Sequence, residues 1–290
     1  MLEHKNQPPS GVNLIKTKEM SGMSEFIVPE LLIKKVPGGT ISYREAGCGE
    51  AIIFLHGINI HSGIWGYQFP FFSSRYRVIA WDAPSYGKSM PREGRVEVYA
   101  AGLASLLDAL AIEKARIVGH SMGGIIGGAF VGKYSERVRS IVFSCTHTGA
   151  ARPIEEPLAE RYQIRIKERS QVKPIEYGRM QAEKMTTDGA SVELKNKIAS
   201  VVAQTSAEYF PVNAAMCQHA DNRSRLSACK TPALILHGGA DRLGPSEGHK
   251  RLLDTMPTAE KLVFPKLGHS PYLEDPESYN SALDSFFNNN

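Results

Sequence analysis

Ala115-Arg116-Ile117-Val118-Gly119-His120-Ser121-Met122-Gly123-Gly124 reads as a strand, a tight turn and the opening of a helix. Apolar residues lead into Gly119, and Ile125, Ile126, Ala129 and Phe130 follow Gly124 at helical spacing. A serine at the apex of such a turn stands clear of the sheet. It also lies beside first-turn amides that have no intrahelical acceptor and can bind developing negative charge. Side chains at Gly119 and Gly123 would clash across so sharp a bend. The segment is a nucleophile elbow with Ser121 at its tip.

The pattern Gly-x-Ser-x-Gly is weak by itself, and the chain carries it twice. At Gly244-Pro245-Ser246-Glu247-Gly248 the preceding apolar strand has already ended at Leu236. Pro245 also occupies the place where the elbow needs its special backbone turn. Ser246 is therefore an ordinary loop or helix-cap serine, and context separates it from Ser121.

Working outward, Leu31 to Val36 and Thr40 to Glu45 are strands joined by a Pro37-Gly38-Gly39 hairpin turn. Ala51 to Leu55 and Arg77 to Trp81 are continuous apolar strands, ending in His56-Gly57-Ile58-Asn59 and Asp82-Ala83-Pro84-Ser85-Tyr86-Gly87. Val96, Tyr99, Ala100, Leu103, Leu106, Leu107 and Leu110 form one apolar helix face. Strands follow at 138–143, 232–236 and 261–264, with helices over 247–253 and 279–287. Apolar strands alternating with helices predict an α/β fold, a mostly parallel sheet covered on both faces. Chemistry in such sheets gathers at the strands' carboxyl ends.

Two segments differ. Residues 1–28 are polar, with Pro8, Pro9, Gly11 and Gly22, and read as a loose leader. Residues 148–226 lack strand patterns, and Pro153, Pro157, Pro174 and Pro211 break them into short helices. An all-helical insertion between sheet strands reads as a cap over the active edge. The core is then 29–147 with 227–290. Within the cap, Arg161, Arg165, Lys167, Arg169 and Lys173 read as a solvated helix face, or alternatively as guidance for a substrate bearing a carboxylate.

Hydrophobic residues make up 42% and charged residues 22%, which fits a globular protein rather than a disordered one. A net charge of +4, spread along the chain, does not point to nucleic acid. No run approaches the roughly 18 apolar residues of a membrane span, and the first 25 residues are polar and lack the apolar block expected of a signal peptide. Cys48, Cys145, Cys217 and Cys229 have no Cys-x-x-Cys pairing and read as thiols in a reducing compartment, so a cytoplasmic location is expected. No metal motif such as His-Glu-x-x-His occurs, and no cofactor is expected.

A serine hydroxyl needs a base, usually a histidine held in one tautomer by a carboxylate. Asp241, in His237-Gly238-Gly239-Ala240-Asp241, and His269, in Lys266-Leu267-Gly268-His269-Ser270, each follow a strand on the edge that carries Ser121.

With the order Ser121, Asp241, His269, the chain resembles the α/β-hydrolase family over about residues 31 to 287, in its capped subgroup of small esterases and enol-lactone hydrolases. Four elements together carry the resemblance: His56-Gly57 after a strand, Asp82 through Ser89, the elbow, and the spaced Asp241 and His269. It implies a Ser121–His269–Asp241 triad and an oxyanion hole made by the backbone N–H groups of Ile58 and Met122. It also implies a structural part for His56. Asn59, Trp65 and His147 are candidate pocket residues, with Trp65 equally a packing residue, and His219 falls within the cap. The family commonly has glycine where Ser85 stands.

The expected activity is hydrolysis of a small carboxylic ester or lactone through an acyl-enzyme. The alternatives are carbon–carbon hydrolysis of ring-cleavage products, whose enzymes often carry tryptophan where Ser270 stands, and a non-catalytic ligand-binding protein. Family members with an aspartate nucleophile, the dehalogenases and epoxide hydrolases, fit Ser121 poorly.

Overall fold

A computed structural model describes residues 25–244 and 246–290, and the Ser246 side chain also lies outside the described set. Most of the expected leader, residues 1–24, falls outside it. The leader's last residues are tied down: Ile27 N–H donates to Gly66 O at 2.9 Å, and the Phe26 ring sits edge-on to Tyr67 at 4.9 Å.

Eight strands form one sheet: β1 (Leu31–Val36), β2 (Gly39–Ala46), β3 (Ala51–Leu55), β4 (Arg77–Trp81), β5 (Ala115–His120), β6 (Val138–Ser144), β7 (Ala233–Gly238) and β8 (Glu260–Phe264). Their spatial order is β1-β2-β4-β3-β5-β6-β7-β8. The β1–β2 hairpin and the β2–β4 pair are antiparallel, and every pair from β4 to β8 is parallel. Burial on both faces explains the continuous apolar runs. Ile53, Leu55, Ile117, Ile141 and Ile235 enter one core, while Ile52, Phe54, Val118, Val142 and Leu234 enter the other. This is the period-2 alternation of a strand, with helices covering both sides. The first core is closed by the helices Val96–Ala109 and Met122–Lys133, and the second includes Tyr279, Leu283 and Phe286 of the helix Pro276–Asn289.

The sequence between β6 and β7 contains five helices and no strand: Glu160–Gln171, Pro174–Met185, Val192–Ala203, Phe210–His219 and Arg223–Ser227. Two of the prolines read as breakers instead open helices. Pro174 is the first residue of its helix, where the Glu176 carboxylate accepts from Lys173 N–H, and Pro211 lies in the first turn of another. A first-turn proline loses no intrahelical hydrogen bond, so it starts a helix as readily as it ends one.

After β4 the chain turns through Ser85 at φ +74°, in the left-handed region, with its hydroxyl buried and without a partner. A side chain there carries a steric cost that glycine escapes. Ser85→Gly is expected to raise stability by about 1 kcal/mol, or roughly 2–4 °C in Tm, which calorimetry measures. An unchanged or lowered Tm would show that the serine is not strained.

Candidate active site

The strand β5 ends in Gly119-His120, and the helix starts at Met122, so Ser121 alone makes the turn. Its backbone lies at φ +52°, ψ −116°, which a non-glycine residue holds only when its surroundings impose it. They do so here. Ser121 N–H donates to Ser144 O at 2.9 Å at the end of β6, and Ser121 O accepts from Gly124 N–H at 2.9 Å and from Thr146 Oγ1 at 2.5 Å. A Cβ on Gly123 would lie 2.1 Å from Leu55 O, and one on Gly119 would lie 2.6 Å from Gly123 O. The helix thus packs directly on β3 and β5, and only glycine fits at either contact.

Parallel strands bring the carboxyl ends of β7 and β8 to the same edge. His269 Nδ1–H donates to Asp241 Oδ2 at 2.8 Å. Asp241 Oδ1 accepts from Leu243 N–H at 2.8 Å and from Gly244 N–H at 2.9 Å. Its side chain is fully buried. Burial opposes ionisation of Asp241, but the adjacent His269 and these three donors outweigh it and hold the carboxyl well below the ordinary carboxylate range. With Nδ1 committed as a donor to the carboxylate, Nε2 of a neutral His269 is an acceptor.

Ser121 and His269 line one cavity of about 260 Å³. Its walls include Ile58 and Met122, the two residues expected to present oxyanion amides, and Ile60, Ile125, Met185 and Leu243. Met122 heads its helix, so its N–H has no intrahelical acceptor. The volume lies below the roughly 300–1,000 Å³ of sites for drug-sized ligands, which suits a small molecule.

A family model described as alpha/beta hydrolase fold matches residues 50–276. The chain belongs to the α/β-hydrolase family. This α/β hydrolase is 31% identical over 281 residues to a 2-hydroxy-6-oxononadienedioate/2-hydroxy-6-oxononatrienedioate hydrolase of Paraburkholderia phymatum, covering 88% of this chain and 94% of the relative. It is 29% identical over 272 residues to a 2-hydroxy-6-oxo-6-phenylhexa-2,4-dienoate hydrolase of Burkholderia cepacia, covering 86% and 91%. Among solved structures, an enol-lactonase from Burkholderia xenovorans superposes with TM-score 0.78 at 19% identity, covering 89% of this chain and all of that one. A thermophilic esterase from Thermogutta terrifontis gives 0.76 at 24% identity, covering 90% and 98%. At those identities the structural likeness is one of fold.

Of the three candidate pocket residues, His147 lines the cavity and Asn59 and Trp65 do not. Trp65 is not in the cavity wall. Its ring is fully buried against Tyr272, 4.5 Å between centroids, and Phe54, 4.9 Å, so it is a core residue. Asn59 is also absent from the wall and 1% exposed. Its N–H donates to Tyr86 Oη at 3.2 Å, its Nδ2 to Tyr177 Oη at 2.9 Å, and its Oδ1 accepts from Arg169 Nη1 at 2.9 Å. Asn59 therefore ties the loop after Ile58 to two helices of the insertion. His147 does line the cavity; burial first, and then the Arg161 guanidinium, push its pKa down to about 4, so it is neutral at pH 7. His219 lies outside the wall, its Nδ1 3.0 Å from Arg152 O.

The basic stretch is not a uniform solvated face. Arg161, Lys167 and Lys173 are exposed as expected, but Arg161 also reaches the rim of the cavity of the hydrolase, half-buried Arg165 lines it, and Arg169 grips Asn59 and Thr205. Their i, i+4 spacing was a sequence signal for one shared face, but it does not say what that face meets.

Three motif residues are structural. His56 Nε2 accepts from Ala83 N–H at 3.0 Å, while Nδ1 bonds Gly57 O at 2.8 Å. Asp82 takes Ser42 Oγ at 2.6 Å and Ser62 N–H at 2.8 Å, tying the end of β4 to β2 and to the segment that follows β3. His237 stacks on His249 with centroids 3.9 Å apart. Among the described residues, one group carries donors close enough for a metal: Cys145, His237 and Asp241, with ligand atoms within 4.8 Å. Both Asp241 oxygens there already hold hydrogen bonds from His269, Leu243 and Gly244. The four cysteines are free thiols.

Proposed function

We propose that the protein hydrolyses a small carboxylic ester or lactone through a Ser121–His269–Asp241 triad. One observation carries the reading: Ser121, His269, Ile58 and Met122 line the same small cavity, with Asp241 bonded behind His269. Ser121 Oγ attacks the carbonyl carbon as His269 Nε2 takes its proton. The tetrahedral oxyanion is bound by the N–H groups of Met122 and Ile58, each such donor worth about 3 kcal/mol in the transition state. His269 then protonates the leaving alcohol, or the ring-opened hydroxyl of a lactone, and an acyl-enzyme remains. Water, deprotonated by His269, releases the acid and restores Ser121. Asp241 keeps its charge throughout and stabilises the imidazolium. None of these steps calls on a cofactor. The helical insertion acts as a cap that shapes the pocket and excludes solvent.

A second reading is favoured by the sequence relatives, whose names specify hydrolysis of 2-hydroxy-6-oxo dienoates and dienedioates. The same constellation serves that carbon–carbon cleavage.

Labelling by a fluorophosphonate probe, followed by a matched panel of small esters, lactones and 2-hydroxy-6-oxodienoates, tests both. Labelling of the wild type that is lost in Ser121→Ala is expected, together with ester or lactone turnover exceeding that of any dienoate. A dienoate at the head of the panel would replace the first reading by the second. A folded wild type that neither labels nor turns over any substrate would leave a ligand-binding protein.

A further inference from the structure

Resting on the triad reading above, we propose that Arg161 and Arg165 form an anion subsite that selects substrates carrying a carboxylate besides the scissile group.

Both guanidinium-bearing residues come from the helix Glu160–Gln171 and line the cavity that holds Ser121. At i, i+4 they lie on one helix face, where like charges repel and destabilise the helix. Such a pair is ordinarily relieved by nearby acids, and here it is not. Glu168, three residues beyond Arg165, gives both its oxygens to Lys184 Nζ at 3.0 Å. Glu156 pairs with Arg152. Among the described residues neither Arg161 nor Arg165 has an ion-pair partner, and no Asp or Glu lines the cavity. Arg242, the third arginine in the wall, differs: it pairs with Asp188 at 3.0 Å.

The two unpaired charges are held by neutral groups. Arg165 Nη2 donates to Gln181 Oε1 at 3.0 Å, its guanidinium carbon lies 5.3 Å from the Phe210 ring centroid, and its Nε is buried without a partner. Arg161 Nη2 donates to Tyr162 Oη at 3.0 Å and lies over that ring at 4.7 Å. Neutral partners fix geometry without cancelling charge, so positive charge remains at the cavity wall, carried mainly by half-buried Arg165 and, at the solvent-facing rim, by exposed Arg161. His147 in the same wall is kept neutral by burial and by Arg161, and does not add to that charge. A carboxylate is the ligand for such a fork: planar, singly charged and able to accept two N–H bonds at once. In a cavity this small, a ligand bound at the arginines lies close to Ser121.

The test compares a glutarate aryl hemiester with its methyl-capped neutral diester, and a 3-acyloxypropanoate with its amide, on wild type and on Arg161→Gln, Arg165→Gln and Arg165→Lys. Wild type is expected to favour the anionic member of at least one pair by roughly 10- to 100-fold in kcat/KM. The first pair reports a carboxylate on the acyl side, the second one on the alcohol side. That ratio should shrink as salt rises, collapse towards unity in each glutamine variant, and partly survive in Arg165→Lys. A packing role would lower both members together and leave the ratio alone. A wild-type ratio near one in both pairs, or one that persists in Arg165→Gln, overturns the subsite. Calorimetric binding of glutarate to wild type and to each variant separates this inference from the triad. If no ester turns over, the triad reading fails, while glutarate binding that is lost in the variants still supports the subsite. Binding that is absent in wild type or equal in all of them overturns it.

Discussion

Asp241→Asn is expected to lower kcat by about four orders of magnitude, although it replaces one oxygen by nitrogen and changes no packing volume. The reason is local. Leu243 and Gly244 both donate N–H groups to Oδ1, so the amide oxygen of an asparagine must stay there and its NH₂ must face His269 Nδ1. Two donors cannot share a hydrogen bond, so the imidazole takes its proton on Nε2 and loses the acceptor that Ser121 needs. Ser121→Ala and His269→Ala are expected to cost more, about 10⁵–10⁶ each, and their combination little beyond either alone, because the two act as one unit. Steady-state kinetics on the best ester of the panel, with a thermal melt of each variant, measures this. A loss below tenfold in Asp241→Asn would remove the aspartate from the mechanism, and additive losses in the double variant would separate Ser121 from His269.

The second large effect concerns stability in acid, with histidines rather than carboxylates leading it. His56 is fully buried, its Nε2 already accepts Ala83 N–H, and its Nδ1–H is given to Gly57 O. A second proton on Nε2 would set donor against donor inside the core. Burial therefore drives its pKa down to about 4, with Asp82 only partly opposing. His147 and His249 are also pushed to about 4, each chiefly by burial. In the unfolded chain all three protonate near 6.5. Between those values the unfolded state binds more protons, so stability is complete above about pH 6.5 and drains away as pH falls towards 4. For His56 alone, moving from pH 7 to pH 5 is expected to cost about 2 kcal/mol, with His147 and His249 acting in the same direction. Urea unfolding at the two pH values gives the difference. His56→Gln, which keeps one donor and one acceptor but cannot titrate, should reduce it by that amount. An equal loss in the variant would show that the proton goes elsewhere.

The reading of Ser121, Asp241 and His269 needed only short-range patterns. The elbow is a local object: apolar strand, two glycines that steric contact demands, and a helical repeat, all within sixteen residues. A parallel sheet then places every loop that follows a strand on one edge, so Asp241 and His269 could be placed there before any contact was known. Helix starts at Pro174 and Pro211 were equally local and are legible once first-turn proline is read as a beginning.

Other features depend on packing across long separations. Arg169 meets Asn59 across 110 residues of chain, which makes Asn59 a strut rather than a pocket residue. Trp65 fills the core against Tyr272, and nothing near it in sequence announces that contact. The arginines at 161 and 165 have the same spacing and the same neighbours whether their face meets water or a cavity. Sequence alone determined the sheet, the elbow and the three residues proposed for the chemistry, because each follows from local sterics and periodicity. Only the tertiary structure decided where the charges of Arg161 and Arg165 point, because orientation is set by how the helix docks, and docking is a property of the whole chain.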